Sequence, residues 1–212
     1  LIQIWMSNRK EVEEKHVQQV IGIAGDGKLK DGGAASNEFR EFLGMVPSTL
    51  LGRYADDCLK EKFENSGLAL QDIINQVGAR LGFKVEPGRY RGTPGEVGFD
   101  GLWYAPDENC IVVEVKTTDA YRIALDTVAV YRQKLIAENR LAEGKSSILI
   151  VVGRSDTGDL EAQVRGSRHA WDLRMISIDF LRRRMRLKEA LGERKVDSNR
   201  RKGGLQRQFT KM

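Results

Sequence analysis

The chain has 212 residues, of which 41% are apolar and 31% charged, and it carries a formal net charge of +5. This size and apolar content suit one ordinary domain with appendages. No apolar run approaches the roughly 20 residues that a bilayer-crossing helix needs, and the N-terminus lacks a charged segment followed by an apolar signal core, so a cytoplasmic protein without membrane anchor is expected.

The two cysteines, Cys58 and Cys110, have no metal-ligand spacing and fall within regular patterns, so both are expected as reduced core residues. The sequence opens on Leu1 rather than a methionine, which fits a piece of a longer protein.

Residues 9 to 24 read as a helix, with Val12, Val17, Val20 and Ile21 near helical spacing, and "GDGKLKDGG" after it reads as a loop. "STLLGRYADDCLKEKFEN" follows Pro47 with Ser48 placed as its cap, and "LALQDIINQVGARLG" carries Leu70, Ile73, Ile74, Val77 and Leu81 on one stripe before a closing glycine. At Phe83 the period changes. "FKVEPGRY", "VGFDGLWYAP" and "NCIVVEVKTT" have strand character and are separated by turn formers, as in a three-stranded meander. A helical stretch from about Arg122 to Glu143 leads to "SSILIVVG", apolar enough for a strand buried on both faces. A short helix around Leu160 to His169, the strand "LRMISI" and a final helix complete the chain. The order α-α-β-β-β-α-β-α-β-α predicts an α/β fold with a mixed sheet flanked by helices.

Charge is unevenly placed. From Leu181 to Met212 there are twelve Lys or Arg against three acids (Glu189, Glu193, Asp197), which gives +9 and leaves −4 for the rest. A basic end on a mildly acidic body suits attraction to a polyanion such as nucleic acid, with Arg200, Arg201 and Lys202 as candidate contacts.

The stretch "IVVEVKTT" places Glu114 and Lys116 on one face of a strand whose other face carries Ile111, Val113 and Val115. Such charges are seldom buried unless paired or holding a metal, so the stretch is either a salt bridge or an active site. In the preceding strand, "GFDG" sets Asp100 at hairpin distance from both. Two carboxylates and an ammonium then converge. Two carboxylates suit a hard cation such as Mg²⁺, which keeps several waters, and a neighbouring lysine can position water and offset phosphate charge.

An aspartate followed by E-x-K on adjacent strands after a helix resembles the PD-(D/E)XK, or restriction-endonuclease-like, nuclease superfamily. The likeness covers roughly Leu68 to Gly153, with residues 1–47 as an N-terminal helical extension, 48–191 as the nuclease domain and 192–212 as a basic tail. It implies a restriction-endonuclease-like fold, Asp100 and Glu114 as metal ligands, and Lys116 as the catalytic lysine. It further implies Mg²⁺ as cofactor, with Mn²⁺ able to substitute, and DNA as substrate, cleaved by water. Phe99 stands where the motif's name has proline. Many members carry an acid on the helix before the first strand; here Gln71 holds that place with Asp72 beside it, and Glu64 is another candidate. Gln133, on the helix after the third strand, matches a glutamine or tyrosine that several members keep near the phosphate.

Arg165 and Arg168 are expected on one face of the short helix, with His169 adjacent, as a phosphate-binding face. Trp103, Tyr104 and Trp171 are expected in the core or at strand edges. The resemblance points to the nuclease module of a restriction or phage-defence system. The alternatives are a repair or recombination nuclease acting on branched or single-stranded DNA, and a nuclease-like module that binds DNA without cleaving it.

Overall fold

In the computed structural model the described residues are 1–61, 63–91, 97–117, 124–153 and 157–192. Five strands, Lys84–Pro87 (β1), Gly101–Tyr104 (β2), Cys110–Lys116 (β3), Ser146–Val152 (β4) and Leu173–Ser177 (β5), form one open sheet in chain order. The first three make an antiparallel meander, and β4 and β5 add in parallel. Parallel pairs need a crossover, and helices supply both: Leu125–Ala137 (α7) between β3 and β4, and Gly158–Arg165 (α8) between β4 and β5.

Period-two alternation sorts the strand side chains onto two cores. One face carries Leu102, Val112, Ile148, Ile150 and Val152 against Leu125, Val128 and Leu135 of α7 and Leu160 and Val164 of α8. The other carries Trp103, Val113 and Val151 against Ser66–Leu81 (α6), Ser48–Lys60 (α5) and the C-terminal helix at residues 178–192 (α9). The fold is therefore α/β, with a mixed sheet between two helical layers.

The N-terminal region contributes Ile2–Ser7 (α1), Arg9–Glu13 (α2), Val17–Gly22 (α3) and Ala34–Met45 (α4). Trp5, Val12, Phe39, Phe42 and Leu43 are buried in the same core as Tyr54, Leu70 and Ile73. The helix expected over residues 9 to 24 is two helices. Asp57 of α5 explains the break, because its carboxylate accepts the Val17 N–H at 3.0 Å and meets His16 Nδ1 at 3.2 Å, which starts a new helix. Helix α4 falls within the N-terminal helical extension expected over residues 1–47, beyond the one helix delimited there.

Other boundaries move as well. Pro47, not Ser48, is the N-cap of α5, and the Ser48 hydroxyl instead accepts from Arg80 Nη1 at 2.6 Å. The short helix ends at Arg165, so Arg168 and His169 belong to the turn that follows, not to a helix face shared with Arg165. Gly82 closes α6 in the left-handed conformation (φ 100°), as its position predicts. Cys58 and Cys110 are free and buried, and burial raises both thiols. Trp103 is core, Tyr104 is half-buried on β2, and Trp171, expected in the core or at a strand edge, is 90% exposed. Among the described residues no helix is long and apolar enough to cross a membrane.

Candidate active site

Strand register brings the three charged residues together. Gly101 pairs with Val113, and the Asp100 N–H donates to the Val113 carbonyl at 3.0 Å, so Asp100 lies beside Glu114 at the end of the β2–β3 ladder. Alternation from Leu102 and Val112 places Asp100, Glu114 and Lys116 on the α7 face of the sheet. The Asp100 carboxylate accepts the Val115 N–H at 2.6 Å, and Lys116 Nζ donates to Glu114 Oε1 at 2.6 Å. Among the described residues no cationic side chain bonds to Asp100.

Electrostatics follow from this packing. Burial, with the like charge of Glu114 added, pushes the Asp100 carboxyl up to about 7, and the Val115 N–H and the Lys116 charge only partly oppose this. Burial alone would lower Lys116, but its hydrogen bond to Glu114 and the two nearby carboxylates outweigh that, so its ammonium is held above the ordinary lysine range. Lys116 is therefore a cation at neutral pH, suited to donating and to offsetting charge, not to abstracting a proton.

Helix α6 braces the site from the opposite face. Gln71 Nε2 and Asn75 Nδ2 donate to the Asp100 backbone carbonyl at 3.1 and 2.8 Å, and Asn75 Oδ1 accepts the buried Trp103 indole N–H at 2.9 Å. This approach requires glycine at the last position of "GFDG", since a Cβ on Gly101 would sit 2.2 Å from Asn75 Oδ1. Gln71 thus positions the strand that presents Asp100. Asn75 shares that task and was missed by sequence reasoning, although its spacing of one helical turn from Gln71 was the available signal.

The remaining candidates separate. Asp72 is buried, and its carboxylate is taken by Arg40 Nε at 2.8 Å and by the Tyr90 hydroxyl, so it is not aimed at Asp100 and Glu114. Burial pushes Asp72 up to about 6 against the attraction of Arg40. Glu64 is exposed on the rim of a separate cavity. Gln133 is exposed on α7, whereas Tyr131, two positions earlier, borders the site: its ring lies 3.4 Å from where a Cβ on Gly98 would be, and its phenol is near enough to Lys116 to interact with it. Arg168 bonds Asp126 at 2.7 Å, and His169 meets the same oxygen at 2.7 Å. Arg165 lines a shallow depression beside Arg174 and Met175. Arg200, Arg201 and Lys202 lie outside the described residues.

Among the described residues no group of three or more His, Cys, Asp or Glu side chains is arranged to hold a metal. Two carboxylates are what the site offers. That donor set fits a hard, largely hydrated cation such as Mg²⁺, which is commonly held through one or two carboxylates plus substrate phosphate. Comparison with known proteins finds no family model, no curated protein and no solved structure that matches the chain.

Proposed function

We propose that the chain is a Mg²⁺-dependent endonuclease that hydrolyses DNA phosphodiester bonds, a reading that rests on its resemblance to PD-(D/E)XK nucleases, and with it a restriction-endonuclease-like form of the fold. The observation that carries the proposal is Asp100, a half-buried carboxylate set beside Glu114 with no bonded cation among the described residues. A structural ion pair accounts for Glu114 and Lys116. It leaves the Asp100 charge only partly offset, by the Val115 N–H and the more distant Lys116 ammonium, and a divalent cation would relieve the remainder.

In this reading Asp100 and Glu114 hold the ion, with Mn²⁺ able to replace Mg²⁺; when bound, it neutralises phosphate charge and lowers the pKa of a coordinated water. Lys116 directs its ammonium at the phosphate or at the attacking water. Gln71 and Asn75 fix the backbone that carries Asp100, and Tyr131 borders the same face. The basic C-terminal region adds affinity for the DNA backbone. The same resemblance supports a place in a restriction or phage-defence system.

Supercoiled, linear and single-stranded DNA incubated with and without Mg²⁺ tests the proposal on a gel. Nicking that requires the cation supports it. The closed Lys116–Glu114 contact favours one second reading, a nuclease-like module that binds DNA without cutting, and binding with no cation-dependent nicking would select it.

A further inference from the structure

A cavity of about 400 Å³ opens beside the candidate site, between the N-terminal region, the start of α6 and the segment after β1. Its walls are of two kinds. Lys28, Lys30 and Arg91 supply cations, and Phe63 and Ile21 supply an apolar side; Glu64 is an acid on the same lining. Lys30 is paired with Asp26 at 3.0 Å. Among the described residues neither Lys28 nor Arg91 has an acidic partner.

Arg91 is held in place by an arrangement that the proposed chemistry does not use. Asp31 accepts the backbone N–H groups of both Tyr90 and Arg91, at 2.8 and 3.3 Å. The Tyr90 ring lies under the Arg40 guanidinium at 4.8 Å, and its hydroxyl bonds Asp72 of α6. Four contacts from three elements therefore fix a short segment whose next side chain lines the cavity. The cavity is also close to the chemistry. Gly88, three residues before Arg91, donates to the Asp100 carbonyl at 2.9 Å, and three residues of chain span at most about 10 Å. On the other wall, Gly67, two residues past the lining residue Asn65, approaches the side chain of Thr117, the residue after Lys116.

Resting on the nuclease reading, we propose that this cavity binds one unpaired nucleotide of the substrate strand, its phosphate on Lys28 and Arg91 and its base or sugar against Phe63 and Ile21. A base still paired in a duplex is stacked above and below and cannot enter a concavity that needs both walls filled. The substrate class is therefore DNA with a single-stranded end, flap or gap next to the cleaved bond. The N-terminal region is then part of the substrate-binding surface.

Fluorescence anisotropy in EDTA, where no cleavage intervenes, tests this with a short blunt duplex and the same duplex carrying a single-stranded tail. The wild type should bind the tailed form roughly tenfold more tightly, the size of effect that stacking one base on an aromatic ring gives. Lys28→Ala with Arg91→Ala should bring tailed binding down to the blunt level, and Phe63→Ala should reduce it in the same direction. Lys28→Ala alone, on an exposed loop, gives a variant whose fold is not at issue and should show part of the loss. No preference for the tail, or a preference unchanged in these variants, overturns the subsite. Cleavage is read separately with Mg²⁺: tail preference without any nicking would sink the nuclease reading and leave the subsite standing, and nicking without tail preference would do the reverse.

Discussion

The ammonium of Lys116 lies 2.6 Å from the carboxylate of Glu114, both on one face of β3, so the lysine and a divalent cation bid for the same oxygen. Removing the lysine frees that oxygen. Lys116→Ala should retain or strengthen Mg²⁺ binding by calorimetry while cleavage falls by about 100-fold or more. Glu114→Gln should lose both. Equal loss of metal binding in the two variants would show that Lys116 serves the fold and not the phosphate.

The raised Asp100 carboxyl makes a pH prediction with a definite sign. Its folded value of about 7 lies above the ordinary 3.8, so the native state favours the protonated form. Stability from this group is present below about pH 4 and is lost as pH rises toward 7. Asp100→Asn keeps the shape and removes the charge. In metal-free buffer at pH 8 the variant should melt roughly 2–6 °C above the wild type, with the difference vanishing near pH 4. A variant that melts lower at pH 8 would mean that the carboxylate is structural.

Asn75 offers a test of positioning. Asn75→Asp keeps an acceptor for the Trp103 indole but loses the donor to the Asp100 carbonyl. Asn75→Ala loses both and leaves a buried N–H unpaired, at a cost of about 1–3 kcal/mol. Cleavage should fall in both, and at neutral pH Asn75→Asp should lose at least as much stability on urea unfolding, because it sets a buried carboxylate against the Asp100 carbonyl oxygen. Gly101→Ala should mimic the activity loss, because its Cβ collides with the same amide.

Deleting Glu193 to Met212 removes seven Lys or Arg (Arg194, Lys195, Arg200, Arg201, Lys202, Arg207, Lys211) and two acids, Glu193 and Asp197. DNA affinity should drop without change in sequence preference, and the slope of log affinity against log salt should flatten, since fewer counterions are released. An unchanged slope would leave the tail a bystander.

Local patterning carried the central features. Alternation in "IVVEVK" and the turn residues around "GFDG" placed Asp100, Glu114 and Lys116 together, because a hairpin register is a short-range property. What failed depended on distant partners. The break at His16 comes from Asp57 of another helix, and Asp72 looked available until Arg40 and Tyr90 claimed it. Helix α4 has Phe39, Phe42 and Leu43 at helical spacing, but Gly32 and Gly33 before it and Gly44 near its end obscure its bounds within the N-terminal helical extension. Trp171 shows the limit from the other side: its size suggests burial, and only the turn that carries it explains its exposure.

The chain's three tryptophans occupy three different environments, and this makes the protein its own optical probe. Trp171 is in water and Trp5 is buried among N-terminal helices, whereas the Trp103 indole is one amide away from the backbone of Asp100. A dissolved quencher such as iodide silences Trp171 and leaves the buried pair. Emission that remains under iodide and shifts on adding Mg²⁺ or a DNA strand then reports on the ground beneath Asp100, without a label and without turnover.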